Sequence, residues 1–136
     1  MRKPAALPDT NFILRYLLRD VETQFAEADA FFEEVRSGKA AAQIAESVLV
    51  ECLYILTKHY HVSRADVAVS LTNLLLYKGI DNSDKRVLTK SLALFAESSL
   101  DPVDCILAAR AAVAGNPVLT FDKALNKMCT SLAGRI

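Results

Sequence analysis

Four carboxylates are set apart from the other acidic side chains by their surroundings. They are Asp9 in "ALPDTNF", Glu51 in "VLVECLYIL", Asp104 in "LDPVDC" and Asp122 in "VLTFDKAL". Capping accounts for two of them singly, Asp9 before a helix at Thr10 or Asn11 and Asp122 before Lys123, as it does for the neighbouring Asp101 before Pro102 at a first helical position. Asp104 falls in the first turn of that last helix, where the helix dipole favours negative charge, but Asp101 already supplies the cap. Glu51 has apolar neighbours on both sides. A helix this apolar is buried nearly all round, where an ionised carboxylate is expensive unless a cation or hydrogen-bond donors meet it. The alternative is a Glu at the rim of the core, or one paired with a Lys or Arg from elsewhere. Together, four carboxylates cannot stay ionised at close quarters without a compensating cation. Hard oxygen ligands favour Mg²⁺ or Mn²⁺ over zinc. An acidic pocket holding such ions suits phosphodiester cleavage, because the metal activates water and neutralises charge on the phosphate and the leaving oxygen.

Other site chemistries find little here. Cys52, Cys105 and Cys129 are scattered, odd in number and embedded in apolar runs, which reads as buried thiols in a reducing cytosol. His59 and His61 are the only histidines, and two apart on a helix they face different ways. Sixteen basic and sixteen acidic residues cancel, so no overall field draws the chain to nucleic acid or to an anionic membrane. Basic contacts must be local, and Arg15 and Lys123 are the candidates for meeting a phosphate backbone, being close in sequence to proposed ligands. No apolar run is long enough for a membrane span, and Asp9 and Arg15 interrupt any signal-peptide core. A cytoplasmic protein is expected.

The elements that must position these acids follow from periodicity. Ala5, Ala6 and Leu7 form a short predicted strand, as do residues 41–45, 79–81 and 118–120. Between them lie helical stretches: "TNFILRYLLRD"; a helix with Phe25, Ala28, Phe32 and Val35 on one face and Gly38 past its end; and "ESVLVECLYILTKHY". Ser63 and Asp66 open the next, running towards Gly79. Leu88, Ser91, Leu92 and Phe95 mark another, Asp101 to Ala114 the sixth, and Asp122 opens the last. Short strands alternating with longer helices predict a single α/β domain over residues 1–136. Its small parallel sheet of four or five short strands is flanked by about seven helices. Functional groups in such sheets collect at the carboxyl ends of strands, the position of Asp9 and, two residues beyond Thr120, of Asp122.

"DTNFILRYLLRD", "VLVECLYIL", "LDPVDCILAARA" and "VLTFDKAL", in that order, resemble the signature segments of PIN-domain ribonucleases, and most nearly the VapC-type toxins of bacterial toxin–antitoxin pairs. The acids are spaced by 42, 53 and 18 residues. The resemblance implies that Asp9, Glu51, Asp104 and Asp122 are the catalytic, metal-binding set, with Asn11 and Thr120 as supporting polar positions. It further implies Mg²⁺ or Mn²⁺ as cofactor, single-stranded or looped RNA as substrate, a homodimer, and a small antitoxin whose C-terminal segment covers the acidic site. Pro8 directly before the first acid, and a C-terminus with little strand character, depart from the pattern. Three readings compete with a toxin: a nuclease of RNA maturation without an antitoxin, a non-catalytic PIN-like interaction module, and another acid-site α/β protein such as a phosphatase or phospho-receiver. The local motifs of the last are absent from the sequence.

Overall fold

A computed structural model describes residues 4–134. Among the described residues there are seven α-helices: α1 (Thr10–Leu18), α2 (Glu22–Ser37), α3 (Glu46–Tyr54), α4 (Arg64–Leu75), α5 (Lys85–Glu97), α6 (Pro102–Ala114) and α7 (Lys123–Ala133). A π-helical turn, Ile55–His59, extends α3.

Local chemistry explains most boundaries. The Ser63 hydroxyl accepts the Asp66 N–H at 3.1 Å and opens α4. Gly38 takes φ 86° and ends α2, with its N–H and that of Lys39 donating to the carbonyls of Val35 and Glu34. Gly115, at φ 73°, ends α6 in the same left-handed conformation. Asp101 occupies the N-cap position of α6 in extended geometry, but its side chain makes no capping bond. Pro102 in the following turn is buried.

The predicted sheet of four or five strands does not form among the described residues. Three of the predicted segments meet instead through single parallel bridges, Ala6 to Ala42 and Ala42 to Ile80. Ala6 donates to the Ala41 carbonyl and accepts from Gln43; Ala42 donates to Gly79 and accepts from Asp81. Pro4 and Pro8 flank the first segment and have no N–H to give, which limits its ladder to the residues between them. Beyond Ile80 the Asn82 side chain replaces backbone pairing, accepting the Ile44 N–H and donating to the Ile44 carbonyl at 2.9 and 2.8 Å. Residues 118–120 show strand-like alternation, with Val118 and Thr120 half-buried and Leu119 exposed, yet have no ladder partner among the described residues.

One core joins these elements. Ile13 and Leu14 of α1, Phe32 of α2, Leu53 of α3, Leu71 and Leu75 of α4 and Leu88, Leu92 and Phe95 of α5 are fully buried. Burial of each such side chain contributes about 1.5–3 kcal/mol. Phe12, Phe31, Phe32 and Tyr16 cluster between α1 and α2, with Phe32 and Tyr16 ring centroids 4.6 Å apart. The Arg64 guanidinium lies over the Phe95 ring at 3.6 Å and donates to the carbonyls of Phe95 and Leu100, which fixes the approach to α6. Among the described residues no helix is long and apolar enough to cross a membrane.

Candidate functional site

Asp9 stands where the first bridged segment turns into α1. Its Oδ1 accepts the Phe12 N–H at 2.9 Å, so one carboxylate oxygen caps the helix and the other is left for a ligand. Glu51 lies across from it on α3. The expectation that Glu51 is buried is corrected: the side chain is exposed. The helix turns Leu49, Cys52 and Leu53 into the core and leaves Ser47, Glu51 and Tyr54 outside. Apolar neighbours in sequence are therefore not neighbours on its face. Asp9, Asn11, Ser47 and Glu51 together line a concavity of about 300 Å³ between α1 and α3. Ser47, four residues before Glu51 and hence on the same helical face, was not among the predicted site residues.

The second pair is formed by α6 and α7. Asp104, half-buried in the first turn of α6, has its carboxyl pushed above the usual range, first by burial and then by the charges of Asp122 and Asp101. Asp122 caps α7 by accepting the Leu125 N–H at 2.9 Å. Its own N–H donates to the Thr120 hydroxyl, and the Thr120 carbonyl accepts from the Asn126 side chain. Thr120 thus supports Asp122 through a backbone bond, while Asn11 lines the concavity beside Asp9.

The structure brings the acids together as two pairs, Asp9 with Glu51 and Asp104 with Asp122. No group of three potential ligands close enough to share a metal occurs among the described residues. The ion pairs there, Arg15–Asp20, Arg36–Glu33 and Arg110–Glu46, neutralise none of the four. Uncompensated carboxylates in a concavity with amide and hydroxyl oxygens are a donor set suited to a hard divalent cation. Softer chemistry is disfavoured, because burial pushes the Cys52 thiol up to about 12 and that of Cys105 to about 11, so both stay protonated.

The two basic candidates differ. Lys123, the first residue of α7, is exposed beside Asp122. Arg15 is not a free cation: Nη1 pairs with Asp20 at 3.0 Å, Nη2 donates to the Tyr60 hydroxyl at 3.3 Å, and Nε is buried without a partner among the described residues. Tyr60, 45 residues away, gave no sign of this role in the sequence. Arg15 still lines a second recess of about 390 Å³ with Asp9, Asn11, Phe12, Gln24 and Glu27.

No curated protein and no solved structure matches the chain. A family profile does, over residues 6–130, and its description is PIN domain.

Proposed function

Because the chain belongs to the PIN-domain family, whose members are in general metal-dependent nucleases, we propose that it is an endoribonuclease using Mg²⁺ or Mn²⁺. The observation that carries this reading is the pairing of Asp9 with Glu51 across one concavity, with no salt bridge from a Lys or Arg to either among the described residues. Asp104 and Asp122 are the complementary pair. In this proposal the two pairs, Asp9 with Glu51 and Asp104 with Asp122, would hold one or two such cations, Asn11 would orient Asp9's side of the site, and Thr120 would fix Asp122. When bound, the cation supplies an acidified water and neutralises charge on the phosphate. Water adds to phosphorus, the bond to the 3′-oxygen breaks, that oxygen takes up a proton, and the new end carries a 5′-phosphate. Lys123, and Arg15 through its residual donor capacity, are the proposed contacts to the RNA backbone.

The finer biological reading is the toxin of a VapC-type toxin–antitoxin pair: a cytoplasmic homodimer held silent by a small antitoxin. It rests on the order and spacing of the four sequence segments. The test compares cleavage of a fluorophore-labelled single-stranded RNA with Mg²⁺, with EDTA, and by Asp104→Asn. Cleavage that needs the cation and is lost in the variant is expected. Undiminished cleavage by the variant overturns the assignment. Co-purification with the product of an adjacent short reading frame tests the toxin reading separately.

A further inference from the structure

We propose that the apolar recess beside Asp9, walled by Leu7, Pro8, Phe12 and Phe31, is a nucleobase subsite that selects an unstacked base next to the cleaved phosphate; it rests on the nuclease reading above. Asp9 lines three adjoining concavities: the one it shares with Glu51, the polar one reaching Arg15, and this third, of about 370 Å³. A nucleic-acid strand crossing the acids needs different surroundings for its phosphate and for its base, and the concavities differ in that way. Among the described residues the third is lined by no charged side chain except Asp9 itself, so it suits an uncharged planar group better than a phosphate.

The two rings in it meet as a corner. Phe12 and Phe31 have centroids 5.8 Å apart with planes at 75°, so a flat base lying on one ring abuts the edge of the other. Both rings are only partly buried, and Leu7 at the mouth is 73% exposed. The corner is also registered to the proposed metal site, because the Asp9 carboxylate accepts the Phe12 N–H. The carboxylate that would hold the cation therefore fixes the start of the residue that would hold the base. Stacking of splayed bases on aromatic side chains is the usual way single-stranded RNA is held.

The experiment scans an abasic ribose through short single-stranded RNAs cleaved by the native chain. A loss of roughly 10-fold or more in kcat/KM at one position beside the cleaved bond, with little effect elsewhere, is expected from the stacking of one base. Phe31→Leu, which keeps bulk and removes the ring, should bring the intact RNA down to the abasic rate. Equal cleavage at every abasic position, or an abasic penalty that survives Phe31→Leu, overturns the subsite. A binding arm separates this from failure of the nuclease reading. The chain has no Trp, so Phe31→Trp places its sole indole in the recess. With Ca²⁺ in place of Mg²⁺, intact RNA should quench its fluorescence and the abasic RNA should not. Quenching by an apolar peptide, and not by RNA, would give the recess to a protein partner and overturn the proposal. Absence of cleavage together with base-dependent quenching would overturn the nuclease reading and leave the subsite standing.

Discussion

The two halves of the acidic site are held by different means. On one side, α1 sets Thr10, Ile13, Leu14 and Tyr16 into the core, the segment before it is bridged to Ala42, and Asp9 is locked by its cap bond. On the other, α7 buries Leu125 and Leu132, and the approach to it leaves Leu119 95% and Phe121 fully exposed. There the position of Asp122 depends on local bonds from Thr120, Leu125 and Asn126. Asp9 is preorganised by tertiary packing, and Asp104 rides on the buried α6, whereas Asp122 is organised by its own sequence and can shift at low cost.

The strongest way to break this comparison is catalytic. Asp9→Asn and Glu51→Gln are expected to lower kcat about 1,000-fold, a loss of about 4 kcal/mol in transition-state stabilisation. Asp122→Asn, which keeps a cap on the looser half, should cost less, about 10- to 100-fold. Initial rates on a labelled RNA decide it, with Asp101→Asn as the control that spares activity. Equal losses at Asp9 and Asp122 would mean both halves are equally rigid. Next comes packing: Phe32→Ala should destabilise by about 3–5 kcal/mol in urea unfolding, and Leu132→Ala by nearer 2 kcal/mol. Metal addition should have an effect between those two. Mn²⁺ at 100 times its Kd should stabilise by about 2.7 kcal/mol, and amide exchange should slow more around Leu125 than around Phe12.

The smallest effect concerns Asp104 without metal. Its raised pKa means that the folded chain holds the proton more tightly than the unfolded one. The stability this contributes is complete below the unfolded pKa and is lost as pH rises through the folded pKa. At neutral pH the charge therefore burdens the fold, and Asp104→Asn should raise Tm at pH 7, with the gain shrinking as the pH falls. A lower Tm at pH 7 would show that the half around Asp104 is better compensated than its neighbours suggest.

Legibility in the sequence followed the range of the interaction. Ser63, Gly38, Gly115 and Asp122 mark helix ends by bonds within a few residues, and those ends stand where the chain chemistry puts them. The family was legible because four short segments keep their order and spacing. Glu51 misled because an apolar run says little about which face of a helix a residue occupies. The strand segments were legible in part: three of them meet through parallel bridges, while residues 118–120 carry the alternation of a strand and find no partner among the described residues, and prolines shorten the first segment to one bridge. Arg15 was noticed for its nearness to Asp9, but what it does depends on Tyr60, which no local pattern ties to it.

The π-turn at Ile55–His59 carries a consequence for chain length. Tyr60 donates its N–H back to the Ile55 carbonyl, five residues earlier, so this turn contains one residue more than an α-helix would use. Taking out a single residue would leave a regular helix with every local bond remade. The cost would fall at a distance, because everything after it would rotate by about 100° and the Tyr60 hydroxyl would leave Arg15. The turn thus behaves as a stored insertion: locally expendable, with its extra residue setting the contact that Tyr60 delivers to Arg15, beside Asp9.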